Sequence, residues 1–362
     1  MNDKKYVEEN EKMKWEENVR KVVPYVPGEQ PKDKNVIKLN TNENPYPPAP
    51  GVEKLMNTMT YQDFRLYPDT DATDLTKSLA KFYGVRESQI FIGVGSDDVL
   101  GMAFMTFFNN AEKPVLFPDI TYSFYDVWAD LYKIPYKQIP LDENFRIRKE
   151  DYLVENGGII FPNPNAPTGV LESVSDIEEI VKANPESVVI IDEAYIDFGG
   201  QSCLPLVEKY ENLMVVQTFS KSRSMAGMRI GFAIANEKMI DYLKAAKFSY
   251  NSYTMNMPSL IMGVASVDDK AYFEQTCQKI IATREWFKKE MEALGFDFTD
   301  SYSNFLFAEH KSVPAKEIFD ELKEKKIYVR YWNKARISNR LRITIGTDEQ
   351  MQQLIEALKE IV

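Results

Sequence analysis

At 362 residues and 41.8 kDa the chain is long enough to bury a large core and to form two domains. Its net charge of −11 and pI of about 5.0 argue against nucleic acid or an anionic membrane as main partner, so an anionic ligand needs a local basic pocket. Two cysteines, Cys203 and Cys277, give neither a disulfide framework nor a zinc spacing, and the single histidine, His310, all but excludes Ser-His-Asp, Cys-His and histidine-rich metal sites.

The first 35 residues are charged, have no apolar core of a signal peptide, and end in Val23-Pro24-Tyr25-Val26-Pro27-Gly28. They read as a short helix followed by an extended arm. No apolar run reaches membrane-spanning length, and the expected location is the cytoplasm. Asn and Pro crowd Ile37 to Pro50 too densely for a helix or central strand, which leaves an ordered loop or a linker around Asn42-Glu43-Asn44-Pro45. Tyr67-Pro68 reads as a turn before an amphipathic helix over Thr73–Tyr83.

Ile90 to Leu100 predicts a strand, a glycine turn and a helix beginning near Ser96. The amides of Gly95, Ser96 and Asp97 at such a helix start form a ready anion site, although an ordinary strand-to-helix turn has the same pattern. The glycine spacing is not a dinucleotide fingerprint. Val115-Leu116-Phe117-Pro118 is a second short strand, followed by an aromatic stretch, Tyr122 to Trp128, that suits a core. Gly158 to Gly169 is a buried strand ending in a proline-rigid loop with Asn163, Asn165 and Thr168.

Ser187 to Phe198 is a strand with carboxylates at its end, and the chain has no Gly-x-x-x-x-Gly-Lys loop to make it a nucleotide site. Leu213–Val216 is a buried strand that opens onto Thr218, Ser220, Lys221 and Ser222, with Arg229 further on. A lysine amine there can form a Schiff base with an aldehyde, and Ser220, Ser222 and Arg229 can hold a phosphate, which suits pyridoxal 5′-phosphate. A surface turn with a solvated lysine is the plain alternative. Asp192 is placed to face the pyridinium nitrogen of such a cofactor, with Tyr195 reaching its phenolic oxygen.

Met239–Lys247, Lys270–Leu294, Pro314–Lys325 and Asp348–Ile361 are helical by periodicity, while Asp297–His310, Ile327–Tyr331 and Leu341–Gly346 alternate like strands. Apolar runs separated by helices predict an α/β fold: a mostly parallel sheet flanked by helices, then a smaller α+β part. The expected division is an N-terminal arm and part of the small domain over 1–48, a large domain over 49–262, and the small domain over 263–362.

These motifs occur in an order that resembles the class I/II aminotransferases of fold type I, and among them the histidinol-phosphate aminotransferases. The resemblance runs from about Pro24 to the C-terminus. It implies that Lys221 carries pyridoxal phosphate and moves the substrate proton, with Asp192 and Tyr195 tuning the ring. It implies further that Gly95, Ser96, Asp97, Thr218, Ser220 and Arg229 hold the cofactor, that Tyr122 stacks on it, and that Tyr67 reaches a neighbour's cofactor across a homodimer with shared sites. Related enzymes carry Asn-Asn-Pro-Thr-Gly where this chain has Asn165-Ala166-Pro167-Thr168-Gly169, so Asn165 is the candidate to replace the missing asparagine contact. Tyr25, Asn42, Arg330 and Arg342 are the expected substrate contacts, Arg342 as the carboxylate clamp for glutamate. The implied reaction passes an amino group between histidinol phosphate, a phosphorylated amino alcohol, and 2-oxoglutarate, with no metal, nucleic acid or membrane. An aromatic or broad-specificity aminotransferase, a threonine-phosphate decarboxylase and a non-catalytic cofactor-binding regulator share most of these motifs.

Overall fold

The computed structural model describes residues 14–33 and 35–362. Its centre is a seven-stranded sheet in the order Ile90–Gly93, Gly231–Ala235, Leu213–Thr218, Val189–Asp192, Gly158–Pro162, Val115–Pro118 and Tyr136–Ile139. Every strand is parallel to its neighbours except Gly231–Ala235, which is antiparallel to both of its own. Six strands are buried along their whole length, and this is why they read as unbroken apolar runs instead of alternating ones. Tyr136–Ile139, at one edge of the sheet, is largely exposed.

Helices Thr73–Tyr83, Gly95–Phe107, Tyr125–Tyr132, Val174–Ala183, Glu237–Tyr250 and Met257–Asp268 cover the two faces. One apolar core lies under Thr73–Tyr83 and Met257–Asp268, the other under Gly95–Phe107 and Glu237–Tyr250. Met257–Asp268 is continuous through the boundary expected at residue 262, and Met262 and Val267 belong to the large core. The chain leaves that core at Asp268–Asp269, where the long helix Lys270–Ala293 begins with Asp269 as its cap.

A second core belongs to an antiparallel four-stranded sheet in the order Arg330–Tyr331, Leu341–Thr344, Phe305–His310 and Phe296–Phe298. Helices Lys270–Ala293, Ala315–Glu324 and Asp348–Ile361 pack there. The segment after the arm joins it as well. Ile37–Lys38 pairs in parallel with Ile327–Tyr328, and Leu39 is buried in the small core. The loop Thr41–Asn44 is thereby anchored to the small unit while it reaches toward the large one.

The predicted α/β order holds, and the carboxyl ends of the parallel strands converge on one edge. Register places Pro162 opposite Asp192, Asp192 opposite Val216, and Thr218 opposite Gly231. Crevices beyond the carboxyl ends of such sheets are where ligands bind in open α/β folds.

Candidate active site

A cavity of about 160 Å³ opens at this edge, lined by Ser96, Asp97, Tyr122, Asp192, Tyr195, Thr218, Ser220, Lys221 and Arg229. Thr41, Glu43, Pro162, Ala166, Ala194 and Ala226 complete the wall. A wider groove of about 300 Å³ near Phe145 and Asp297 holds none of the expected site residues.

Lys221 follows the buried strand Leu213–Thr218, so its backbone is fixed while its side chain enters the cavity. Its Nζ donates to the carbonyl of Thr41 at 3.3 Å and lies 5.7 Å from the Tyr195 ring centre. Asn44 Nδ2 donates to the carbonyls of Lys221 and Ser222, at 3.0 and 3.3 Å, and clamps the lysine's backbone. The loop from the small unit thus touches the lysine at both ends.

Asp192 ends its strand at the cavity floor and is buried. Tyr125 Oη donates to Oδ2 at 3.1 Å and the Ala194 amide donates to Oδ1 at 3.2 Å. Burial, only partly offset by those two donors, pushes the Asp192 carboxyl up to about 7. No ion pair reaches it among the described residues, so a cation in the cavity would relieve a desolvated charge.

At the opposite end the helix Gly95–Phe107 begins against the sheet. Gly95 has φ +82°, and a Cβ there would sit 2.5 Å from the Arg229 guanidinium. A Cβ on Gly231 would lie 2.2 Å from the Gly95 and Ser96 backbone, so both glycines are needed for this close approach. Arg229 bridges to Asp97 at 3.2 Å and to Ser220 Oγ at 3.4 Å, and Ser220 Oγ also accepts from Thr218 at 3.0 Å. Tyr122 Oη donates to Asp97 at 2.7 Å, which, with burial as the larger cause, holds the phenol well above its ordinary pKa.

Toward the small unit, Arg330 and Arg342 are direct cross-strand partners, and both guanidiniums lie 5.2 Å from the Trp332 ring centre. Arg342 is half-buried: one nitrogen donates to the Asn40 carbonyl at 2.9 Å, and its buried Nε has no partner among the described residues. Burial first, then the neighbouring Arg330 charge, lowers its pKa from the ordinary arginine value. Tyr25 is coupled electrostatically to both Arg342 and Tyr122 and stacks on Phe124 at 4.3 Å, which sets it over the same end.

Four expected residues stand elsewhere. Asn165 is buried with its amide donating to the Ile120 carbonyl and Thr168, so it locks its own loop and Ala166 faces the cavity in its stead. Tyr67 is 81% exposed and stacks on Tyr253 at 4.4 Å, outside this chain's cavity. Asn42 lies behind the wall, where its Nδ2 donates to Tyr195 Oη at 2.9 Å. Ser222, read as a phosphate contact, gives its hydroxyl to Asp197 at 2.5 Å and is buried. The sequence reading missed the roles of Thr41, Glu43, Asn44 and Tyr125. Glu43 and Asn44 carried a signal, as parts of the Asn42-Glu43-Asn44-Pro45 motif.

A lysine on a strand end, a buried carboxylate short of a cation and an arginine–serine cup at a helix start fit pyridoxal phosphate, and they define a cofactor-dependent transferase of fold type I. Residues 34–358 match the family model for aminotransferase class I and II. The chain belongs to the class I and II aminotransferases, which depend on pyridoxal phosphate. It is 53% identical over 348 residues to histidinol-phosphate aminotransferase of Lactococcus lactis subsp. cremoris, covering 96% of this chain and 98% of that one. It is 51% identical to histidinol-phosphate aminotransferase 1 of Hydrogenovibrio crunogenus, with the same coverage. The fold matches the Sinorhizobium meliloti histidinol-phosphate aminotransferase solved with pyridoxal-5′-phosphate, with TM-score 0.82, 24% identity and coverage of 90% of each chain. It also matches L-threonine-O-3-phosphate decarboxylase from Porphyromonas gingivalis, with TM-score 0.77 and 20% identity over 90% of this chain and 99% of that one.

Proposed function

We propose that the chain is a histidinol-phosphate aminotransferase that passes an amino group between histidinol phosphate and 2-oxoglutarate in histidine biosynthesis. The observation that carries this is the pair Arg330 and Arg342, two cations side by side with a buried Nε left unpaired. Such a pair suits a substrate end that is a dianionic phosphate in one half-reaction and a carboxylate in the other. Relatives above half identity with the histidinol-phosphate name support the same reading.

Pyridoxal phosphate, when bound, supplies an aldehyde for the lysine and a ring that withdraws electrons from the reacting carbon. Arg229, Ser220, Thr218 and the amides that start Gly95–Phe107 hold its phosphate. Asp192, oriented by Tyr125 and the Ala194 amide, keeps a proton on the ring nitrogen. Tyr122 flanks the ring and Tyr195 donates to its phenolic oxygen. Lys221 Nζ, held near the Thr41 carbonyl, moves the proton at the substrate carbon. Arg342 clamps the substrate anion in both half-reactions, with Arg330 and Tyr25 adding to the hold on phosphate.

Spectra of the cofactor-loaded protein, offered histidinol phosphate, phenylalanine, tyrosine and threonine phosphate in turn, test this reading. Fastest conversion with histidinol phosphate is expected. Preference for an unphosphorylated aromatic amino acid, or release of CO2 from threonine phosphate, would replace it with an alternative.

We infer a homodimer in which Tyr67 completes the neighbour's site. Tyr61, Phe64, Leu66 and Tyr67, with Tyr253 packed on Tyr67, form an exposed aromatic and apolar surface of the kind that marks a partner interface. Mixing inactive Lys221→Ala and Tyr67→Ala chains should restore activity in heterodimers, and verified heterodimers without it count against shared sites. A large domain ending at Asp268, with residues 37–48 joined to the small domain, follows the two cores. The free, buried thiols Cys203 and Cys277 support a cytoplasmic location.

A further inference from the structure

The wall of the cavity near Tyr195 lacks the side-chain amide that related enzymes place there, because Ala166 faces it and Asn165 is turned into its own loop. Tyr195 is left as the polar side chain on that wall. Its ring is fixed edge-on against Phe305, with centres 5.1 Å apart at 87°. Only the hydroxyl proton's direction remains to be set, and the structure shows what sets it.

Asn42 is buried and adopts φ 59°, a left-handed conformation that asparagine tolerates better than most residues. Small-domain residues hold it there. Its backbone N–H donates to Thr344 Oγ1 at 3.1 Å, and its carbonyl accepts from Asn304 Nδ2 at 3.0 Å. Because Thr344 Oγ1 already accepts that N–H, its own proton needs an acceptor, and Asn42 Oδ1 at 3.0 Å is the one available. The amide orientation is thereby fixed, and Nδ2 is left facing Tyr195 Oη at 2.9 Å. Tyr195 Oη accepts from Asn42 and so keeps its single proton for the cavity. A reversed amide would take that proton and leave Thr344 with none to receive its own.

We propose that Asn42 is a positioning residue for the reaction: it orients the Tyr195 hydroxyl so that its proton serves the phenolic oxygen of pyridoxal phosphate, the contact that Ala166 cannot make. This rests on the cofactor reading above. Thr344 and Arg342 alternate on one strand and share a face, so the strand that clamps the substrate anion also sets the tyrosine's proton.

The protonation midpoint of the lysine–cofactor chromophore reads this directly. A donor at the phenolic oxygen favours its anion and draws charge away from the adjacent nitrogen, which then loses its proton at lower pH. Tyr195→Phe should therefore raise the midpoint by about one unit. Asn42→Asp, whose carboxylate takes the tyrosine's proton for itself, should raise it comparably, and Asn42→Ala by less. Lys221 near the ring and Arg342 coupled to Tyr195 stay the same in every variant. In the Tyr195→Phe background neither Asn42 change should add a further shift. Catalysis in the Asn42 variants should lose kcat with little change in KM.

A midpoint within about 0.2 units of the parent in both Asn42 variants overturns the proposal, as does a shift that adds fully to that of Tyr195→Phe. Should the Asn42 chains not fold, Thr344→Val decides: removing the hydroxyl frees the amide to reverse, and an unchanged midpoint overturns the proposal equally. A parent chain that forms no chromophore fails at the cofactor reading itself and takes the proposal with it.

Discussion

Arg229 on the cavity wall and the arginine pair Arg330 and Arg342, which lies beyond that wall toward the small domain, are built on opposite plans. Arg229, at the helix start, is about 42% exposed along its side chain and already paired with Asp97, Ser220 and a backbone carbonyl. Arg342, toward the small domain, is half-buried beside a second arginine; among the described residues it has a carbonyl as its one hydrogen-bond partner, and its buried Nε is unpaired. An arginine with its own carboxylate can keep one resident phosphate in place without depending on it for structure. A half-buried arginine pair with no ion-pair partner among the described residues is an unfilled demand for an anion, and it suits ligands that come and go. On the proposed function, the first would hold the cofactor and the second would meet successive substrates.

The largest break of this comparison is Arg342→Ala. It should lower kcat/KM for histidinol phosphate and for glutamate alike by about a hundredfold, since a buried charge-assisted contact of about 3 kcal/mol is lost from both half-reactions. Cofactor loading, read from the chromophore, should be unchanged. A loss confined to one substrate would mean that Arg342 is not the shared clamp. Arg330→Ala is expected to be milder, raising KM for histidinol phosphate by roughly tenfold while leaving unphosphorylated histidinol nearly unaffected. Equal effects on the two compounds would show that Arg330 does not read the phosphate.

The smallest effect is one on stability and concerns Asp192, which belongs to neither arginine site. Its folded-state pKa of about 7 stands above the 3.8 of the unfolded chain. Between those values the unfolded chain gives up its proton first, so this group's contribution to stability falls as pH rises and levels off above about 7. In the cofactor-free protein, Asp192→Asn should raise Tm by a margin that grows from pH 4 to pH 7, while transamination by the loaded variant is mostly lost. A margin that shrinks with rising pH would mean that the carboxylate already has a cationic partner.

Much of this was legible in the chain because strand-end chemistry sits next to apolar runs. Asp192 ends, and Lys221 follows, a strand that is buried throughout, and Arg229 caps the short turn that leads into the strand beginning at Gly231. The helix Met257–Asp268 was not legible, since it is apolar on more than one face and shows no 3.6-residue stripe. Asn165, Ser222 and Tyr125 escaped for another reason. Each was judged by its neighbours in sequence, but its partner is set by tertiary packing: the Ile120 carbonyl, Asp197 and Asp192. Asn42 was read as a substrate contact from its motif, and the neighbour that packing gives its amide is Tyr195.

Both arginine sites have meaning only if the cofactor is joined between them, at the lysine that the Thr41–Asn44 loop holds. Borohydride reduction of the yellow protein followed by peptide mapping tests that most directly. A single pyridoxyl group on Lys221 is the predicted result. A tag on any other lysine, with Lys221 unmodified, would contradict the account of the site.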